Sequence, residues 1–218
     1  MFIGHFAVGL SAKKFDNSIS LGTAFIAVQF LDLLWPVLVL LGIEHVEVDP
    51  GNTAFTPLHF VHYPYSHSFL FTCFWSILFA TFYFLRTRKL NSSIIIALLV
   101  LSHWVLDLIT HTTDLPITPW SDLKMGLGLW NSIIFTIIVE VSLFLLGTYL
   151  YVKSTTPSNR KGKILFWSLI IFLLFTYVSN IVGPLPPSGK DVALVAISMW
   201  LLVGWGYWID SNRVSKPA

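Results

Sequence analysis

Charge is what this sequence has least of. Only 11% of its 218 residues are Asp, Glu, Lys or Arg, against about 25% in ordinary soluble domains. So few charges do not furnish a water-facing surface, whereas 55% hydrophobic residues and a mean hydropathy of +0.75 suit a chain immersed in lipid. The formal net charge of +2 is small, and the basic residues are scattered rather than lined along a groove, so nothing points to a nucleic-acid partner. The single cysteine, Cys73, rules out a disulfide framework. Internal repeats and low-complexity tracts are absent. The opening stretch MFIGHFAVGLSAKKFDN also lacks the order of a secretory signal. Its lysines follow the apolar part and no small-residue cleavage pattern closes it, so this segment is expected to be retained.

What the sequence does have is long apolar runs. A helix needs roughly 20 apolar residues to cross a hydrocarbon core of about 30 Å. Six segments meet or approach that length: Ser18–Ile43, Ser66–Leu85, Ser93–Thr110, Leu127–Val152, Ile164–Val182 and Val192–Ile209. A seventh, Phe2–Ala12, reaches only about 17 Å and reads as a half-helix. The expected fold is all-α: a polytopic membrane helical bundle of about six transmembrane helices plus a short N-terminal half-helix, forming one domain over residues 1–218. With six crossings, Lys13, Lys14, Arg86, Arg88, Lys89, Lys153, Arg160, Lys161, Lys163, Arg213 and Lys216 fall on one side, and only Lys124 and Lys190 on the other. The positive-inside rule then places both termini at the cytoplasmic side and loops 44–65, 111–126 and 183–191 away from it.

Polar residues inside such spans are the informative ones. A charge at mid-bilayer costs roughly 2.5–3.5 kcal/mol on insertion scales, so it normally pairs or binds something. The stretch SHWVLDLITH places His103, Asp107 and His111 at i, i+4 and i+8, within about 80° of one helix surface. Asp32 lies in the first span and Glu140 in the fourth. With His5 on the half-helix and His67 at the head of the second span, these groups are expected at depths of about 12 to 27 Å from the cytoplasmic end. Pro36 cannot donate to the carbonyl of residue 32, so a kink with a free acceptor is expected beside Asp32. The last two spans, 164–209, have no charged interior residue and read as scaffold.

Imidazoles and carboxylates converging without cysteine are ligands for zinc or a similar divalent ion, one or two ions in number. His62 and Ser66, in HYPYSHS, offer further groups beside His67. Each residue also has a plainer reading. His5 and His111 suit a membrane interface, Asp32 and Glu140 can bond neighbouring helices, and His45, His59, Glu44, Glu47 and Asp49 suit a solvated outer loop. Asp114, Asp122 and Asp191 read as surface residues.

The order of these elements is similar to that of a known family. Gly4-His5, Asp32, HYPYSHS at 62–68 and SHWVLDLIT at 102–110 together resemble the bacterial membrane-bound metal-dependent hydrolases (YdjM-like), over about residues 4–120. More distantly the pattern is similar to the zinc-dependent phospholipase C superfamily. The resemblance implies that His5, Asp32, His67, His103 and Asp107 are metal ligands, with His62 a further candidate. It also implies that Asp32 or Asp107 bridges metals and helps to deprotonate water. The chain departs from the family pattern in having a single aspartate at 32, followed by Leu34 where a second would stand, and Thr136 before Glu140 where a histidine would stand. His111 is then a possible replacement ligand.

The leading expectation is a membrane-embedded metal-dependent hydrolase, a phosphoesterase acting on a lipid or lipid-linked substrate through metal-activated water. Its site would open on the non-cytoplasmic side of a bacterial inner membrane, with Tyr63, Tyr65 and Trp120 bordering a lipid entrance. The alternatives are a divalent-cation or proton-coupled transporter using the same His/Asp cluster, and a structural protein whose polar residues only bond helices together.

Overall fold

The computed structural model describes residues 1–216, and it is an all-α bundle with six helices long and apolar enough to cross a membrane. Helix α1 spans Phe2–Phe15, α2 Leu21–Leu40, α4 Phe69–Thr87, α5 Leu90–Thr110, α6 Ile133–Ser154 and α7 Arg160–Val182. One more crossing is divided into α8, Gly189–Ala196, and α9, Met199–Asp210. A single turn, α3, occupies Pro64–His67 directly before α4.

Helix α4 shows the solvent this fold is built for. Its buried residues are Thr72 and Ser76, while Phe74, Ile77, Leu78, Phe82 and Leu85 are exposed. Ser76 Oγ donates to the carbonyl of Ala97 on α5. Polar groups turned inward and apolar ones outward is the order expected in lipid, where small and hydroxyl side chains join helices. In water it would leave a large apolar face uncovered. The chain is an integral membrane protein.

Helix α1 is the half-helix expected from its length, and it lies in the interior. Ile3, His5 and Leu10 have no exposed surface, and Phe6 only 1%. A helix apolar on all sides must be surrounded, and here α2, α5, α6 and α7 surround it. Contact with α6 is close enough that a Cβ on Gly147 would overlap the backbone of Ala7. Opposite, α9 approaches α2 where Gly206 stands 3.1 Å, measured from an ideal Cβ, from the Gly22 backbone. These glycines let backbone meet backbone, α6 against α1 and α9 against α2.

The chain ends of the bundle carry short ladders. Strands β1, His45–Val48, and β2, Leu58–His62, pair antiparallel, as do β3, Leu115–Pro116, and β4, Lys124–Met125. At the opposite, lysine-rich end, β5, Thr155–Pro157, pairs with β6, Arg213–Ser215. There Lys13 reaches Asp210 at 3.0 Å, joining the foot of α1 to the end of α9. Helix α2 continues through Pro36 without interruption, so the expected break beside Asp32 is limited to the lost hydrogen bond.

Candidate metal centre

Four elements bring five side chains together: His5 from α1, Asp32 from α2, His67 from α3, and His103 with Asp107 from α5. His5 Nε2 lies 3.0 Å from Asp107 Oδ1, and His103 Nε2 lies 3.1 Å from Asp107 Oδ2. His67 Nε2 stands 3.4 Å from Asp32 Oδ1 and 3.8 Å from Asp107 Oδ2, while His103 Nε2 is 3.8 Å from Asp32 Oδ2. The rings of His5 and His103 stack 3.7 Å apart and nearly parallel. Two overlapping sets, His5/His103/Asp107 and Asp32/His67/His103, each converge closely enough to hold a metal ion. Tetrahedral zinc, with ligands at 2.0–2.2 Å, sets neighbouring donor atoms about 3.4 Å apart, and the observed spacings bracket that value.

The hydrogen bonds behind the rings fix which nitrogen of each faces the carboxylates. His103 Nδ1 lies 2.7 Å from the carbonyl of Val28, which can only accept, so the ring proton sits on Nδ1. The Nε2 atom is left facing the carboxylates and has no hydrogen-bond partner of its own. His67 is held the same way. Its Nδ1 is 2.7 Å from Ser66 Oγ, and Ser66 Oγ in turn donates to Glu44 Oε2 at 2.7 Å. The single serine proton goes to the carboxylate, so His67 Nδ1 donates and Nε2 is the atom turned to Asp32. Imidazoles tied through one nitrogen to a carbonyl or carboxylate, with the other nitrogen free, are the usual arrangement of metal-ligating histidines.

Glu44 is the functional residue that sequence reasoning missed. Placed by sequence in a solvated loop, it is 2% exposed and accepts the backbone N–H groups of Tyr65 and Ser66, both at 2.9 Å. Burial pushes its carboxyl above the ordinary range, and the donors from Ser66 and Tyr65 pull it back. The available signal was an acidic residue just past a span end, too common a feature to single out. His67 also departs from expectation. It belongs to the turn before α4, whose own start is capped by Ser68 accepting from Phe71 N–H. That turn is tucked inward against α2, so His67 meets Asp32 rather than lying well above it.

Three residues expected as ligands stand elsewhere. His62 is exposed on β2 opposite His45, because the outer loop forms a hairpin rather than the head of a span. His111 ends α5 with extended backbone, which turns its ring off the His103/Asp107 face. Its Nδ1 pairs with Asp114 Oδ1 at 3.0 Å, and its ring packs against Trp130. Glu140 accepts from the Gly4 N–H at 3.3 Å. It thus serves the open N-terminus of α1, where helix N–H groups lack partners and an anion is favoured. Tyr63, expected near a lipid entrance, is buried at 1% exposure with its hydroxyl 3.3 Å from Asp114. Burial and the nearby Asp114 charge push that hydroxyl well above its ordinary range, so it stays protonated. Tyr65 and Trp120 are exposed.

Around the cluster, the amino group of Met1 lies 2.8 Å from Asp107 Oδ1. No lysine or arginine among the described residues pairs with Asp32, Asp107 or Glu140. Enclosure is uneven. His5, His67, His103 and Asp107 side chains are 0–3% exposed, whereas Asp32 is 28% exposed and forms the open side. No protein-family profile, curated protein or solved structure matches this chain.

Proposed function

We propose that the chain is a membrane-embedded metal-dependent hydrolase, a phosphoesterase that acts on a lipid or lipid-linked substrate. One observation carries the reading. Nε2 of His103 and of His67 faces carboxylate oxygens at 3.1 and 3.4 Å, and the two sets His5/His103/Asp107 and Asp32/His67/His103 converge at the spacing of ligands around one ion. A divalent ion, zinc by the nitrogen-and-oxygen donor set, suits that convergence. The orphaned Nε2 of His103 fits it. Such an ion, when bound, lowers the pKa of coordinated water toward about 7 and polarises a phosphoryl oxygen.

The chain's own residues divide the remaining work. His5, His103 and Asp107, enclosed on all sides, hold the ion's position. His67, set by Ser66 and Glu44, closes the second set. Asp32 is the ligand-range carboxylate within reach of the surface, which suits it to accept a proton from an attacking water. It lies about 16.5 Å along α2, within the hydrocarbon depth, where a substrate carrying acyl chains can arrive from the bilayer. The lysine distribution favours a basic end that is cytoplasmic and a site that opens toward the other face, and the resemblance to bacterial membrane hydrolases favours a bacterial inner membrane. The motif order within residues 4–120, which resembles that of metal-dependent membrane hydrolases, supports the same chemistry.

The test uses purified protein loaded with zinc or manganese in phospholipid vesicles. Release of a phosphorylated headgroup or its diacyl counterpart, lost in Asp32→Asn, is the expected result. Asp32-dependent cation flux without hydrolysis would assign the cluster to ion translocation instead. Metal-free protein with neither activity would leave the polar residues a helix-bonding role.

A further inference from the structure

At the lysine-rich end, β6 places an arginine that forms no ion pair among the described residues. Pairing of Pro157 with Arg213 lays the Arg213 side chain between the ends of α6 and α7, 8% exposed. Its guanidinium carbon stands 4.9 Å from the Phe166 ring centre and 5.3 Å from that of Tyr151. Nε and Nη2 donate to Thr155 Oγ1 at 3.1 and 2.9 Å, Nη2 also to the Thr155 carbonyl at 3.4 Å, and Nη1 to the Gly162 carbonyl at 3.5 Å. Arginine carries five N–H donors, so one on Nη1 is left over. The partners are hydroxyl, carbonyl and aromatic groups, none of which neutralises the charge. Asp210 is already engaged by Lys13, by the Leu21 N–H and by the Tyr151 hydroxyl.

Arg213 borders a cavity of about 330 Å³ that is also lined by Lys163 and Lys216, with Val152, Phe166 and Trp167 forming apolar wall. Among the described residues, three cations and no acid line it. Buried charges are ordinarily paired, and a space of this size, within the range of small-ligand sites, is large enough for the missing anion. Its place at the ends of two spanning helices, with Trp167 44% exposed beside it, is where phospholipid headgroups lie. Surface lysines alone gather near any anionic leaflet. The half-enclosed cavity and a buried arginine with no ion pair among the described residues distinguish this site from such a solvated fringe.

We propose that this cavity binds the phosphate of an anionic phospholipid headgroup. The site is separate from the His/Asp cluster and stands whether or not that cluster is catalytic. The experiment is native mass spectrometry of the purified full chain in neutral detergent, titrated separately with phosphatidylglycerol, phosphatidylcholine and inorganic phosphate. Wild type retains phosphatidylglycerol and releases phosphatidylcholine. The double variant Lys163→Gln/Lys216→Gln, altered at exposed positions, binds phosphatidylglycerol about 25-fold more weakly, roughly fivefold for each basic residue lost. Lys163→Glu alone weakens it as well, so the proposal does not rest on one variant folding. Equal retention of both lipids, or phosphatidylglycerol binding unchanged in both variants, overturns the proposal. Inorganic phosphate bound as tightly as phosphatidylglycerol, with the same lysine dependence, overturns the lipid assignment in favour of a free-phosphate site.

Discussion

His103 Nε2 faces Asp107 Oδ2 across 3.1 Å, while the opposite nitrogen of the same ring is committed to the carbonyl of Val28. The i, i+4 spacing on α5 sets the two groups side by side, and α2 decides which nitrogen carries the proton. Replacing Asp107 by Asn keeps the shape and removes the charge. If Asp107 only bonds helices, the neutral amide relieves a buried charge and metal content is irrelevant. The metal account expects affinity for zinc to fall by more than about 100-fold, since each lost ligand costs more than a lost outer partner. Isothermal titration of metal into the stripped protein reads the difference.

Glu44→Gln tests the positioning chain. The glutamine amide still accepts from Tyr65 and Ser66 backbone N–H groups, but its NH2 no longer draws the Ser66 hydroxyl proton. His67 loses its fixed tautomer, and metal affinity should fall about 10–100-fold. A Glu44 that merely braces the loop would lower the melting temperature and leave affinity unchanged.

His62 and His111 separate ligand from bystander. His62→Ala, at an exposed hairpin position, should leave metal content intact and shift stability by no more than about 0.5 kcal/mol. His111→Ala should also keep the metal, yet destabilise by about 1–3 kcal/mol, because it opens a space beside Trp130 and leaves Asp114 with the Tyr63 hydroxyl alone. Loss of metal in either variant would return it to the ligand set.

Gly147→Leu forces α6 away from α1 at Ala7 and carries His5 with it. Overpacking typically costs about 1–3 kcal/mol, and here a weaker metal site should accompany it. Denaturation of the detergent-solubilised variant, followed by metal titration, shows whether both change together.

The spans were legible because hydrocarbon imposes a length and a composition, and six helices appear where the apolar runs lie. The His103/Asp107 pair was legible because its spacing is set within one helix. What escaped was decided between segments. Glu44 and His67 owe their places to a hairpin and a one-turn helix in a loop whose fold depends on what it packs against. His111 matched the helical spacing, but α5 stops at Thr110, so the next residue left the shared face. Glu140 looked like a ligand by depth alone, whereas its partner is the backbone start of α1.

The central claim is that a metal ion lies among these imidazoles and carboxylates. Elemental analysis of purified wild-type protein beside His103→Ala tests it most directly. The account predicts one or two zinc or similar divalent ions per wild-type chain and their loss from the variant while its helical content is retained. Wild-type protein that stays metal-free after incubation with zinc, or a His103→Ala variant with the same metal content as wild type, would contradict it.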